Sequence, residues 1–429
     1  MTDKRTIGGW QARRVGAPLA AVLALVASAS AIRAEGPVIR PEEGRPEVSW
    51  KDAGHVVGRV ARVSGKVVDF NQLSHLYLLR IGEDTKHWGF TIVIPTEKLA
   101  NFPEPPSLMY VGKYVRVWGM ITTYAGQPQV FVGTPDRIEV LSEPPQVPAY
   151  QAPKAEPKAE LTVATYNILN LFDAEDDPYH NDEYTRVKPR EELERLAKVI
   201  REISPDVLAL QEVETRGYLG RFLEVFCAEL GYEHVAHFEG NDLRGIDVCL
   251  VSRVPLGRVV SHRHVTFPDE TGKLMQFNRD LLCVEVRPVG GVPFEVWVVH
   301  LKSKSGGEAS DVIRLAEATY VRKMLDERLS ADPEARIILC GDFNDDWGSP
   351  TLKTIVGSGS TGLKCFADEL PDDQRITYNK EPYRSMIDFI LCSPGMAQRY
   401  VQGSFSIRAG TVEYSGSDHN PVLARFRVK

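Results

Sequence analysis

The chain of 429 residues is short of several things, and each shortage removes a class of function. Positive charge is not in excess: 51 Lys and Arg stand against 58 Asp and Glu, a net charge of −7. No overall basic field therefore drives indiscriminate nucleic-acid binding, although a local basic groove remains compatible with this balance. There are six cysteines (Cys227, Cys249, Cys283, Cys340, Cys365, Cys392), all in the later part of the chain and none in the CxxC spacing of a zinc site. Most lie in apolar runs such as DVCLV and IILCGDF, where cysteine acts as a small buried hydrophobe, so mostly free thiols are expected. No G-x-S-x-G marks a serine esterase, and no G-x-x-x-x-G-K-[ST] marks a phosphate-binding loop for nucleoside triphosphates. Internal repeats are absent. What is present is an ordinary globular composition, 43% apolar and 25% charged, long enough for two or more domains with sizeable cores.

The first apolar stretch, about 17–31, falls short of the ~20 residues that span a bilayer. Basic residues up to Arg13 and Arg14 precede it and an A-x-A pattern at Ala29–Ala31 follows, so residues 1–34 read as an export signal, by the general or the twin-arginine route. An uncleaved anchor is the competing reading. The expectation is an exported protein, periplasmic or extracellular, without a stable membrane partner.

Residues 54–142 carry several β-type runs (HVVGRVARVSGKVVDF, HLYLLRIG, GFTIVIP, KYVRVWGMITTY, QPQVFVG) punctuated by Gly and Pro, with no long amphipathic helix between them. This pattern predicts a small all-β module and resembles an OB-like barrel. Such barrels bind single strands through aromatic and basic side chains. Tyr77, Trp88, Tyr114, Trp118 and Tyr124 offer stacking platforms, but aromatics in a small barrel more often fill its core. Between Lys51 and Val140 the charges are 10 basic against 8 acidic, hardly a basic footprint. Residues 143–160 hold five prolines and no apolar periodicity, the composition of an extended linker. From Leu161 to the end, at 161–429, apolar runs alternate with helical patterns. LTVATYNIL and VLALQEV read as strands, and Leu193, Leu196, Ala197, Ile200 and Ile203 share a helix face that Ser204-Pro205 ends. The mixture predicts an α/β domain of two packed sheets flanked by helices.

Several of those apolar strands end in residues that a core would not choose. Asn167 follows TVATY, Glu212 follows VLALQ, His300 follows VWVV, Asp342 and Asn344 follow IILCG, Asp388 interrupts MIDFIL, and Asp418-His419 precedes PVLARF. Any one alone is better read as a cap or turn; the repetition at strand ends is what points to a shared cleft. Half-buried carboxylates are costly unless paired or bound to metal. The set is rich in oxygen and lacks thiolate, which favours a hard cation, Mg²⁺ or Mn²⁺, and such an ion with open positions is the usual partner of a phosphate. Asp342 and Asn344 are two apart and would share a face if the strand continued, and His300 and Lys302 would reach one anion in the same way.

The motifs TYNILNLFD, PDVLALQEVE, GIDVCLVSR, NRDLLCVEV, VVHLKSK, GDFNDD, MIDFIL and SDHNPV, in this order, resemble the endonuclease/exonuclease/phosphatase superfamily, metal-dependent phosphoesterases that include deoxyribonucleases. The resemblance covers 161–429 and implies a four-layer αββα sandwich behind the small all-β OB-like barrel. It implies a role for each residue in turn. Asn167 and Glu212 would bind the metal, with Asn167 also touching the phosphate, and Asp418 would be a second metal-side carboxylate. Asp342 would orient or deprotonate the attacking water, and Asn344 would fix that water and contact the phosphate. His419 would hold the scissile phosphate and manage its proton, oriented by Asp388. His300 would also belong to the catalytic set, with Asp247 as its partner, while Arg279 and Lys302 would bind substrate charge.

Bond type is better specified than substrate. Export with an OB-like module suggests a secreted nuclease acting on DNA or RNA, yet residues 161–429 carry 32 basic against 42 acidic residues, a balance unfavourable to tracking phosphates. A phosphatase or phosphodiesterase for a small or lipid head-group phosphate is the alternative, and a non-catalytic binding protein is the third reading. Protein partners are not specified by any motif.

Overall fold

The computed structural model describes residues 38–39, 44–150, 157–175 and 177–429. The expected export signal at 1–34 lies outside them, as do residues 151–156 of the proline-rich segment.

The strand-rich region begins at β1 (Glu47–Ser49) and continues through β2 (Val60–Gln72), β3 (Leu76–Gly82), β4 (Trp88–Pro95), the short helix α1 (Pro106–Tyr110), β5 (Tyr114–Tyr124), β6 (Gln127–Phe131) and β7 (Ile138–Leu141). Five of these strands close on themselves in the order β2-β3-β4-β6-β5 and back to β2, with β4 and β6 parallel and the other pairs antiparallel. Closure removes the exposed edges that an open sheet would present. Alternation sends Tyr77, Leu79 and Ile81 of β3 inward, where they meet Val63, Val67, Phe90, Val115 and Val117. Of the aromatics singled out above, Tyr77 is thus a core residue and Tyr124 is exposed. Gly65 sits where β2 bends between two partners, and a β-carbon there would overlap Ile81 and the Trp50 ring.

The α/β expectation for the rest of the chain is met. Its elements are β8 (Glu160–Leu171), α2 (Arg190–Ile203), β9 (Val207–Val213), α3 (Arg216–Phe226), β10 (His234–His237), β11 (Asp247–Ser252), β12 (Leu256–Ser261), a small hairpin of β13 (Phe267–Pro268) and β14 (Leu274–Met275), β15 (Leu281–Val286), β16 (Phe294–His300), α4 (Glu308–Ala331), β17 (Ile337–Asp342), α5 (Pro350–Val356), β18 (Lys364–Cys365), β19 (Asp388–Cys392), α6 (Pro394–Ala397), β20 (Ser406–Ile407), α7 (Val412–Ser415) and β21 (Val422–Arg427). They form two six-stranded sheets, ordered β10-β11-β9-β8-β21-β20 and β12-β15-β16-β17-β19-β18. Strand alternation explains the layering. On β9, Val207 and Ala209 face the second sheet, while Leu208 and Leu210 face α2 and α3. The core between the sheets continues across the second sheet to Ala318, Val321 and Leu325 of α4. Helices therefore cover both outer faces, the αββα arrangement.

The helices follow their sequence signals. Leu193, Leu196, Ala197 and Ile200 of α2 are buried on one stripe, and Ser204, left-handed at φ 41°, ends it ahead of Pro205. Thr215 caps α3 by accepting the Tyr218 N–H. Val38 and Ile39 pack against the α2/α3 core, and Arg45 pairs with Glu224 of α3 at 2.8 Å, so the segment ahead of the barrel also touches the sandwich. All six cysteines are free.

Candidate active site

The two sheets end together at a cleft of about 930 Å³. Register builds its floor. His300 pairs with Asp342 across parallel strands β16 and β17, and Asp342 pairs with Asp388 across antiparallel strands β17 and β19, so three polar residues stand in one row at the end of the second sheet. All three are almost fully buried. Gly341 makes this row possible: its φ is +142°, and a β-carbon there would overlap the Val299 carbonyl of β16.

The first sheet supplies the opposite wall. Asn167 faces inward from β8, and its Nδ2 donates to Asp342 Oδ2 at 3.0 Å and to Glu212 Oε1 at 3.3 Å, joining the two sheets. The alternation of β9 would send Glu212 toward the helices, like Leu208 and Leu210. Instead Glu212 is left-handed at φ 66°, and its other oxygen accepts the Asn170 N–H at 3.0 Å. Leu169 and Asn170, at φ 51° and 55°, accompany a register shift between Asn167 and Leu171. Asn344, at φ 52°, is left-handed too. Of the six non-glycine residues with positive φ among those described, four therefore lie at this site, where such strain, about 1–3 kcal/mol each, is sustained only by surrounding structure.

His419 enters from the turn before β21. Its Nδ1 lies 2.8 Å from Asp388 Oδ2, its Nε2 is 3.8 Å from Asp342 Oδ2 and 4.0 Å from Asp418 Oδ1, and the Tyr378 ring packs on it at 5.1 Å. Ser417 holds the turn by donating to the Asn167 carbonyl at 2.7 Å. Thr377 Oγ1 accepts the N–H groups of Ile387 and Asp388 and so fixes the strand that carries Asp388.

Crowding these groups shifts their acidity. Burial, and then the like charge of Asp388, lift the Asp342 carboxyl to about 7, against the pull of His419, the Asn344 N–H and the Asn167 amide. Burial opposes a charged His419, but the carboxylates of Asp388 and Asp342 outweigh it and hold the imidazolium up to about 10. Burial, reinforced by the Arg279 charge, pushes His300 well below its ordinary value, which keeps that ring neutral. A base raised toward neutrality beside an acid raised far above it is a pairing suited to moving protons on a phosphate.

Nearly all the residues expected from sequence meet here. Glu212, Arg279, His300, Lys302, Asp342, Asn344, Asp418 and His419 line the cleft, with Asn167 and Asp388 bonded directly behind them. Two expectations need correction. Asp342 and Asn344 do not share a strand face: β17 stops at Asp342, and Asn344 turns back so that its N–H donates to Asp342 Oδ1 at 2.8 Å and its Nδ2 donates to the Leu301 carbonyl at 2.9 Å. His300 and Lys302 do line the same cleft, Lys302 from a turn after β16 whose N–H is held by Glu317 at 2.8 Å. Asp247 is not the partner of His300; it lies 3.1 Å from His237, because β11 is the neighbour of β10 and β9 and belongs to the other sheet. His300 instead stands 3.5 Å from Asp342. Sequence reasoning also missed Asp242, which pairs with Arg279 at 3.0 Å, and Tyr378, Tyr383, Arg244, Lys304 and Arg384 on the rim. These come from loops without periodicity, and no sequence signal marked them.

A family model for the Endonuclease/Exonuclease/phosphatase family matches residues 162–402. The chain belongs to this family. Its enzymes are divalent-metal-dependent phosphoester hydrolases. No curated protein sequence matches significantly. Among solved structures, a truncated Caenorhabditis elegans TDP2 is 16% identical, covering 63% of this chain and 98% of that one at a TM-score of 0.43. The human Nocturnin catalytic domain with bound sulfate is 21% identical, covering 63% and 96% at 0.44. D. rerio TDP2 in complex with a single-strand DNA product is 18% identical, covering 63% and 100% at 0.44.

The donor set fits the family's metal. Glu212 and Asp418 offer carboxylate oxygens only, the choice of a hard cation, while the Asn167 side-chain oxygen accepts the Leu169 N–H at 3.1 Å and its amide nitrogen faces Glu212. Asp418 Oδ1 is buried with no hydrogen-bond partner, an expense that a cation beside it would relieve.

Proposed function

We propose that this protein is an exported, Mg²⁺- or Mn²⁺-dependent nuclease that hydrolyses DNA or RNA. The observation that carries this reading is the cleft itself. Five basic residues (Arg244, Arg279, Lys302, Lys304, Arg384) line it beside five acidic ones, an even balance that concentrates cations at the site in a domain that is acidic overall. The exposed Tyr383, flanked by Arg384 on the rim, suits a stacked base rather than insertion into a bilayer, which would need an apolar loop.

In this mechanism Asp342, held by the Asn344 N–H and the Asn167 amide, takes a proton from the attacking water as the oxygen–phosphorus bond forms. The imidazolium of His419, kept charged and oriented by Asp388, bears on the phosphoryl oxygens and supplies a proton as the opposite P–O bond breaks. Asn167, Arg279 and Lys302 orient the phosphate, and His300 stays neutral beside Asp342. Glu212 and Asp418, with Asn167, would hold the metal, which when bound supplies electrostatic stabilisation of the charge developing on the phosphoryl oxygens.

We read the closed barrel as OB-like and as a guide for single strands. Phe70, Tyr124 and Phe131 are exposed on it, and Phe70 stacks on Tyr77 at 5.7 Å, which supports that reading.

The test is hydrolysis of plasmid DNA, single-stranded DNA, RNA and a chromogenic phosphodiester in parallel, with Mg²⁺, Mn²⁺ or EDTA, and with His419→Ala as the blank. Metal-dependent loss of polymer that the variant lacks is the expected result. Activity confined to the small ester would replace this reading with a phosphatase or lipid phosphodiesterase.

A further inference from the structure

β10 and β11 are joined by residues 238–246, a loop that carries Asp242, the partner of Arg279. At its two ends stand three side chains that the phosphate chemistry leaves unused: His237, Glu239 and Asp247. One ligand atom of each lies within 4.8 Å of the others. None of the three lines the catalytic cleft. The side chains of His237 and Asp247 are 3% and 2% exposed, and His237 Nε2 lies 3.1 Å from Asp247 Oδ2. Yet neither atom is in hydrogen-bonding geometry with any partner. A buried polar atom left in that state is costly, and here two of them lie side by side. Asp247 is not loosely placed, because its other oxygen accepts the Gly240 N–H at 2.6 Å. That bond leaves Oδ2 as the free donor atom. Two buried donor atoms in contact but misaimed for each other are what a shared third ligand produces.

We propose that His237 Nε2, Asp247 Oδ2 and the Glu239 carboxylate form a second divalent-metal site that takes Zn²⁺. One imidazole with two carboxylates is a zinc donor set, whereas an all-oxygen set suits Mg²⁺. Glu239 is the most exposed of the three and stands on the solvent side of the site, leaving a fourth position for water. The ion ties the end of β10 to the start of β11 and thereby shapes the loop that sets Asp242 against Arg279. Its role is structural, and a metal tie of this kind adds to folding stability.

The experiment counts metal in the full-length mature protein after chelation, reloading with Zn²⁺ alone and gel filtration. Four proteins are compared: the unaltered chain, Glu239→Gln, Glu212→Gln with Asp418→Asn, and all three changes together. The expected result is that Glu239→Gln removes one Zn²⁺ per chain, or weakens it at least 10-fold, in both backgrounds, and abolishes a rise in melting temperature that Zn²⁺ gives the Glu212/Asp418 variant. His237→Asn should do the same; should it fail to fold, the exposed Glu239 still decides. An unchanged zinc count and an unchanged melting response on losing Glu239 would overturn the proposal, whatever the protein hydrolyses. Loss of one ion with the Glu212/Asp418 changes bears only on the catalytic site, so the two readings fail separately.

Discussion

Asp388→Asn isolates the electrostatics of the row His300–Asp342–Asp388. The side chain is buried, and its Oδ2 receives His419 Nδ1 at 2.8 Å; an amide oxygen in the same place still accepts that bond, so the geometry survives while the charge goes. The charge acts on two titrating groups at once. It helps raise Asp342 to about 7 by repulsion and His419 to about 10 by attraction. A base works above its pKa and an acid below its own, so the unaltered enzyme should show a bell with limbs set by these groups. Removing a negative charge lowers both values, and the whole bell moves toward acid. If Asp388 supplies about half of the lift on His419, the alkaline limb falls by about 1.5–2 units, which is about 2–3 kcal/mol at 1.36 kcal/mol per unit. The assay is kcat/KM for a chromogenic phosphodiester from pH 5 to 10 at saturating metal, with thermal denaturation as the folding control. At pH 9 activity should fall about 4- to 10-fold, approaching the full shift only above pH 10, whereas at pH 6, on the acid limb, the loss should be absent or reversed. A uniform scaling down without movement of either limb would refute the reasoning.

Other consequences can be checked directly. Asp342→Ala should lower kcat by at least about 10²-fold with folding intact, as expected for loss of a general base, and unchanged hydrolysis of every substrate would end the catalytic reading. Burial works to raise the Asp345 carboxyl, but the Lys304 and Thr351 hydrogen bonds and the Arg314 charge outweigh it and hold it at about 2, against 3.8 ordinarily. The folded value is the lower one, so the stabilisation is complete above about pH 4 and is lost as pH falls through 2; Asp345→Asn should cost about 2 kcal/mol at pH 7 and flatten acid denaturation in that window. Deleting the barrel should weaken binding of polymer while sparing a small phosphodiester. Because Val38, Ile39 and Arg45 pack on the sandwich, that deletion should run from 47 to 150 with a flexible connection, and one that also removes the strap should lose about 2 kcal/mol of stability, read by denaturant unfolding.

Much of this protein was legible in one dimension. Period-2 runs and a period-3.6 stripe at Leu193, Leu196, Ala197 and Ile200 are local consequences of backbone geometry, so they announced the layers before any contact was known. Polar residues at the ends of apolar strands announced the site for a similar reason: a core does not accept Asp388 or His300 without a purpose. What sequence could not supply was anything dependent on register or on a turn. That His300, Asp342 and Asp388 stand abreast follows from which strands are neighbours, and the raised acidity of Asp342 follows from that adjacency alone. Glu212 lies on the wrong parity of β9 and reaches the cleft only through its left-handed backbone. Asn344 reaches it through a turn where a continuing strand was expected. Asp247 went to His237 because sheet order, which no local pattern encodes, put β11 beside β10. Local propensities thus determined the elements and the residue types of the site, while the pairing of distant strands decided which charges face each other, because Coulomb and desolvation energies depend on separation in space and not along the chain.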